Sequence, residues 1–470
     1  MFKINFNPVL SKGHGNGLKP GLLLLFALLA GFTSVKAQRA PVQIMTLHDC
    51  LAYGAENSKR VEVSKMDVDY TTEQKNEILG TALPQISGTS QFDDNLKLQS
   101  TLLPSVIFGG PKGEYTAVKF GQKYNFNSTI NATLDIYNPG IWMGLKANRT
   151  NRLNAETKLV QVKEDVAYNI ASAYYKAVIS NYQITLLKDN ITKTESLLKN
   201  SELELKNGTS RKVDVDRIRV NRNNLNYQLV QANINRDLAI VRLKNAMGMN
   251  MDKEMQPAET GLDLPEAAPV KQNNFADYSN RVDYRVNQIN VELAVLARQN
   301  NNTGYQPKLT AYGKWGTQAQ RQEFNFFNGN QPWFEYRGVG ATLTVPIFDG
   351  LQRSKRDKQN LIRVTQAERN LELNRQTIDM DVQTAALTFN NRLQTILSNK
   401  ENMTLAESIL EVSRLEYKNG VSTSQTVVDS ENALQQARNN YTTALLDLYQ
   451  SKLDYEKAKG NITNYLINLK

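Results

Sequence analysis

Histidine and cysteine are almost missing from this 470-residue chain, which holds two of the first and one of the second. His14 falls in an N-terminal targeting segment, which leaves His48 and Cys50. A structural zinc site, a Cys/His nucleophilic pair and a disulfide framework all need more of these residues, so all three are excluded. His48 and Cys50 stand two apart, and on a helix that spacing turns them to different faces. Glycine and proline are sparse too, at 26 and 13 residues, which excludes collagen-like repeats and general disorder. No nucleophile elbow, phosphate loop or metal-ligand cluster occurs, so no catalytic residue, metal or cofactor is expected.

An apolar run from Gly21 to Phe32 is too short to cross a bilayer as a helix. It lies among Lys3, Lys12, Lys19 and Lys36 with no acid, and Val35-Lys36-Ala37 follows. Residues 1–37 therefore read as a secretory signal peptide. Gln38 after it is not a lipid-anchor cysteine. Loss of those four lysines lowers the net charge from +10 to +6. The remaining charges are mixed along the chain, and a nucleic-acid partner is not expected.

What the chain does contain is duplication. Lys206-Asn207-Gly208 recurs as Lys418-Asn419-Gly420, and Gly248 recurs at the same offset as Gly460. Leu134-Asp135-Ile136-Tyr137-Asn138 answers Val345-Pro346-Ile347-Phe348-Asp349, and Leu83-Pro84-Gln85-Ile86 answers Gln306-Pro307-Lys308-Leu309. Such self-similarity predicts two internal repeats, 38–248 and 277–470. Pro257, Pro265 and Pro269 mark a linker at 249–276.

Within each repeat the hydrophobic period changes in the same order. From Val118 to Ile136 the even positions are mostly apolar and the odd ones polar, a strand with one greasy and one wet face. Val339, Ala341, Leu343, Val345 and Ile347 repeat this more weakly. With partners at 85–98 and 309–318, the pattern predicts four strands in two hairpins, about 85–137 and 308–348. The spacing then becomes helical, through Val166, Ile170, Ala177, Ile184 and Leu198, and again through Ile378, Val382, Phe389, Ile396 and Leu410. These are coiled-coil-like seams. Each predicted long helix stops at an Asn-Gly turn, 207–212 or 419–424, and a second helix returns, Val213 to Met247 or Gln425 to Lys459. Shorter helices, Leu47 to Leu79 and Asp277 to Asn302, are predicted before the strands.

Four strands with a lipid-like face cannot close on themselves, and open edges are not tolerated in a bilayer. Several chains must then share a barrel, though this argument leaves their number open. Ala82-Leu83-Pro84-Gln85-Ile86 before the first strand, Val345-Pro346-Ile347-Phe348-Asp349-Gly350 after the last, and the two Asn-Gly turns carry a resemblance. In order and duplication the chain resembles the TolC-type outer-membrane efflux proteins from about Thr46 to Gly460.

The resemblance implies a homotrimer with a mainly α fold: a shared twelve-stranded barrel in outer-membrane lipid and a tube of twelve helices across the periplasm. It implies a passive duct that works with a periplasmic adaptor and an inner-membrane transporter. At the tip it implies a constriction lined by acids just past each glycine, here Asp214 and Asp429, with Asp216, Arg211 and Lys212 as further candidates beside them; the same acids also suit a helix N-terminus. Rings of carboxylates repel each other and attract cations. The family's gate-linking arginine falls on Ser422. Adaptor contact is implied at Asn207, Gly208, Thr209 and Ser210, and at Asn419, Gly420, Val421 and Ser422. Trp315, Trp333, Phe334 and Tyr336 are candidates for an interfacial aromatic belt. Protein secretion through the same kind of duct and a structural outer-membrane coiled-coil tether are the competing readings.

Overall fold

The computed structural model describes residues 42–265, 268–271 and 277–468. The predicted signal peptide lies outside these residues, as does part of the predicted linker. The described residues open with β1 (Gln43–Met45), α1 (Leu47–Asn57) and α2 (Lys59–Thr81). Then come β2 (Gln85–Asp94), β3 (Ser100–Pro104), β4 (Tyr115–Lys119) and β5 (Tyr124–Tyr137). The first helical hairpin is α3 (Pro139–Lys206) and α4 (Lys212–Met247), followed by β6 (Met255–Pro257). The remainder is α5 (Val282–Thr303), β7 (Lys308–Arg321), β8 (Phe334–Thr344), α6 (Gln352–Lys418), α7 (Ser424–Ala458) and α8 (Ile462–Ile467).

Long helices dominate because apolar residues recur every three or four positions with no interior proline. α3 has 68 residues, on the order of 100 Å at 1.5 Å per residue. It begins at Pro139, because the Asn138 side chain accepts from the Gly140 amide and Pro139 occupies the first turn, where its missing N–H is harmless. α6 has 67 residues. The predicted seam positions are the buried ones: Ile170, Ile184 and Leu198 on α3, and Ile378, Phe389 and Ile396 on α6. The largest apolar cluster joins α1, α3, α4, α7 and α8 through Ile170, Tyr174, Leu243, Met247, Leu453 and Ile462.

The single helix predicted over 47–79 is two helices. Ser58 is extended, at φ −65° and ψ 120°. Its neighbourhood explains the break, because Gly248, at φ +71°, turns against it; a Cβ on Gly248 would stand 2.6 Å from the Asn57 carbonyl oxygen. Gly460 makes the same approach to the carbonyl oxygen of Asn280, at 2.7 Å, just before α5. The predicted linker contains β6, which pairs in parallel with β1, a strand the hydrophobic pattern did not reveal. Tyr174 fastens this ladder by donating to the Met45 carbonyl at 3.1 Å and to the Glu259 carboxylate.

The four expected strands form one sheet in the order β2-β5-β7-β8, antiparallel throughout. The run from Val118 to Ile136 is not one strand. Gly121 takes φ +110°, and Asn95 closes the main ladder through its amide to the Lys123 carbonyl and its side chain to the Gln122 carbonyl. β4 is thereby diverted onto β3 in a separate two-stranded ladder. β2 ends at Asp94 rather than Leu98, and β8 ends at Thr344, before Pro346, which has no N–H to give to a ladder.

Candidate functional site

The sheet sorts its side chains by parity. Ile86, Ile130, Ala132, Trp315, Val339 and Leu343 stand on one face by register, while Thr89, Asn127, Asn131, Gln318 and Thr342 stand on the other. On the polar face, large side chains lie over glycines of the neighbouring strand. A Cβ on Gly316 would meet the Tyr336 ring at 2.5 Å, one on Gly340 the Tyr312 hydroxyl at 2.7 Å, and one on Gly338 the Lys314 chain at 3.1 Å. The Tyr336 hydroxyl is bonded to Thr129 at 2.5 Å and donates to Asn127 at 2.9 Å.

This register divides the four predicted belt aromatics. Trp315 is on the apolar face, and Trp333 joins it there by packing edge-on against Phe126 at 5.5 Å. Phe334 and Tyr336 pair with Gln318 and Gly316, which puts them on the polar face, so they do not belong to a belt with the other two. Sequence reading missed the aromatics that do cluster at this end of the sheet. Phe92, Tyr124 and Phe126 gather Phe324 and Phe326 from the β7–β8 connection, with ring centroids 5.6–6.0 Å apart. The signal was available, since Phe92 and Phe126 share the parity of the greasy face.

At the far end of the long helices, the two Asn-Gly turns have matching geometry. Gly208 and Gly420 are left-handed, at φ +77° and +73°, and the next amides, of Thr209 and Val421, close back onto Glu204 and Glu416 at 2.9 Å. Asn207 and Asn419 are the cap residues of α3 and α6. Thr209 and Val421 are exposed, and Ser210 and Ser422 half-buried.

The five charged tip residues do not act alike. Asp214 is only 6% exposed. It accepts from the Ser424 hydroxyl at 2.5 Å and from Arg211 Nε at 2.8 Å, with Arg217 at 3.9 Å. Burial works against its charge, but Ser424, Arg211 and Arg217 together outweigh that and hold its carboxyl below the usual range. In the single chain the carboxylate is thus engaged in joining α4 to α7 rather than standing free. Arg211, its partner, is itself largely exposed. Asp216 pairs with Arg219 at 3.0 Å and stays half-exposed, Lys212 is exposed, and Asp429 is exposed, accepting only from Gln425 four residues earlier.

A second polar layer lies seven residues further along both helices. Glu431 is 2% exposed. It accepts from Arg414 Nη2 at 2.6 Å, Thr194 Oγ1 at 3.2 Å and the Asn221 amide, drawing α3, α4, α6 and α7 to one point. The heptad offset from Asp214 to Asn221 and from Ser424 to Glu431 marks this node in the sequence, but a lone glutamate in a charged helix does not announce that it is buried. Among the described residues no group of three or more potential metal ligands occurs, and no helix is long and apolar enough to cross a membrane.

Known proteins share this architecture. The outer-membrane channel CmeC of Campylobacter jejuni superposes with a TM-score of 0.67 at 13% identity, covering 88% of this chain and 86% of that one. The open-state MtrE outer membrane channel of Neisseria gonorrhoeae gives 0.65 at 15% identity, over 88% and 89%. In sequence, the outer membrane protein TolC of Vibrio cholerae is 19% identical over 342 residues, 71% of this chain and 76% of that protein. The profile of the family described as Outer membrane efflux protein matches residues 57–249 and 278–461. With both helical hairpins and all four strands of the main sheet inside those two segments, the chain belongs to the outer membrane efflux protein family.

Proposed function

We propose that this outer-membrane efflux protein is the passive exit duct of a tripartite pump, conducting small molecules delivered by an inner-membrane transporter and a periplasmic adaptor. The observation that carries the reading is the two-faced sheet with both edges open, continuous with helices long enough to reach far beyond a membrane. A ten-residue strand such as β2 matches the span of a tilted barrel strand. Its lipid-like face needs a closed barrel, and its free edges, β2 and β8, are antiparallel to each other. Copies of the chain therefore pair β8 of one with β2 of the next, and three copies supply twelve strands.

Exposed side chains on the helices support the same assembly. Val213, Val220, Tyr227, Ile234 and Val241 form an apolar stripe at seven-residue steps on α4, and Leu373, Met380 and Leu387 form another on α6. Both stripes are left open within one chain and suit a heterologous, ring-closing contact. In this assembly residues 1–37 direct export, and 38–248 and 277–470 are two copies of one plan joined by 249–276. The tip turns, 207–210 and 419–422, meet the adaptor. Asp216 and Asp429 remain the carboxylates available to a constriction.

Reconstitution in planar bilayers tests the duct. Stepwise ionic conductance is expected, and its absence from a correctly assembled oligomer would leave the tether reading. A photo-crosslinking residue at Ser210 or Ser422 in cells then separates small-molecule efflux from protein secretion by the adaptor it captures.

A further inference from the structure

The polar face of the main sheet carries little charge. By register, the charged side chains on it are Asp93, Asp135, Lys308 and Lys314. Lys308 and Asp135 neutralise each other at 2.9 Å, and Asp135 accepts further bonds from Thr310 and Asn138. Asp93 stands at the end of β2 away from the helices and accepts from Gln91. Lys314 differs from all three. It lies midway along β7 between Asn131 and Gly338, it is exposed, and among the described residues no carboxylate comes within 4.0 Å of its ammonium.

The other charges on this face do not cancel it from a distance. At about 3.4 Å per residue, the level of Asp135 is about 14 Å along the strand from Lys314 and that of Asp93 about 20 Å in the other direction. Both separations exceed the Debye length, about 10 Å in roughly 0.1 M salt. Lysine on a strand commonly blunts an open edge, but β7 is paired on both sides and has no edge to protect. Its side chain rests over Gly338, where an added Cβ would stand 3.1 Å from Lys314 Cε, so the ammonium is carried along the sheet surface.

We infer that Lys314 is a charge-selecting residue of the duct: each copy sets one ammonium at the same height of the bore, and the ring so formed favours small anions over cations. The class includes chloride and small molecules bearing a carboxylate, sulfate or phosphate. This rests on the ring assembly proposed above, in which the polar face lines the bore. Rings of lysine or arginine select anions by this field, and a low-dielectric wall around water concentrates it. The preference is opposite in sign to that of Asp216 and Asp429 at the tip, so cargo passes two filters of opposite charge in series.

Lys314→Cys tests it, since the one native cysteine, Cys50, is fully buried and does not compete. The purified oligomer, its assembly checked by native mass spectrometry, is recorded in planar bilayers under a gradient of dilute KCl. Recordings are made before and after reaction with a methanethiosulfonate bearing either a trimethylammonium or a sulfonate group, and the tip is the same in both arms. Relative to the native chain, the potassium-to-chloride permeability ratio is expected to rise in Lys314→Cys, to fall back after the trimethylammonium reagent and to rise further after the sulfonate. These differences should fade in roughly 1 M KCl, where the Debye length is about 3 Å. Lys314→Gln, which introduces no thiol, should match the unreacted cysteine variant. Equal ratios for the two modified forms, with both reagents shown by mass to be attached, overturn the selector and leave the duct standing. Failure of both reagents to attach to the assembled oligomer overturns it as well, because the position then does not face water. Absence of conductance from the native oligomer overturns both the selector and the duct.

Discussion

The Ser424 hydroxyl donates to Asp214 Oδ1 at 2.5 Å and joins the first turns of α4 and α7 across the two helical hairpins. Removing the donor by Ser424→Ala is expected to destabilise this junction by about 1.5–3 kcal/mol, the range for a hydrogen bond to a charged group. Single-channel recordings should show more frequent open-level transitions; an unaltered gating pattern together with an unaltered melting temperature would sink the idea.

The junction has a defined pH response. The folded-state pKa of Asp214 is depressed, so its contribution is present above the ordinary carboxylate value and is lost as pH falls through the lower, folded value. The native junction should therefore be insensitive to pH between 5 and 8, as order-of-magnitude bounds. Melting temperatures of native protein and Asp214→Asn, compared across that window and then at about pH 3, check this: the gap between them should shrink only in acid.

Glu431 ties four helices at one buried point. Glu431→Ala strands Arg414 beside Asn221 and Thr194, and breaking a buried pair in this way costs about 3–5 kcal/mol. Urea denaturation followed by far-ultraviolet circular dichroism measures it. Glu431→Gln, which keeps the shape and some of the bonds, should lose distinctly less.

Two left-handed glycines separate strain from collision. Gly208→Ala meets no atom within 4 Å and incurs only the backbone penalty, about 1–2 kcal/mol. Gly248→Ala drives a methyl to 2.6 Å from the Asn57 carbonyl oxygen and must displace the α1–α2 break. Its loss should be several-fold larger, and equal melting temperatures for the two variants would contradict the packing described here.

Glu164 on α3 works in the opposite sense to Asp214. Burial, only partly offset by Arg285, pushes its carboxyl from an ordinary 4.5 up to about 7. The folded chain holds this proton more tightly, so stability falls as pH rises from about 4.5 to about 7. Glu164→Gln should raise the melting temperature above pH 7 and make no difference near pH 4.

Much of the architecture was legible because its periodicity is long and uninterrupted. Ile378, Val382, Phe389 and Ile396 stand in a run of 67 helical residues, and nothing local contradicts them. The parity of Ile130, Ala132 and Leu134 likewise fixed which face of β5 is greasy. What escaped depends on contacts distant in sequence. The Ser58 break is caused by Gly248, nearly two hundred residues away, and β1 is too short to show a period before it meets β6. Residue type alone also did not separate Trp315 from Phe334 and Tyr336, which the strand register puts on opposite faces. At the tip, the acid type and position were readable, but whether Asp214 faces a pore or a serine depends on the rotation of α4, which one period of charges does not specify.

The glycines beneath Tyr312, Lys314 and Tyr336 set a dimension as well as a fold. Because those strands lack a methyl at Gly340, Gly338 and Gly316, three of the bulkiest side chains on the polar face lie down along the sheet. In a closed barrel their length would run around the wall instead of across the bore. The clear aperture would then be wider than its residue composition suggests, and single alanine substitutions at these glycines would narrow it by raising neighbours that are themselves unchanged.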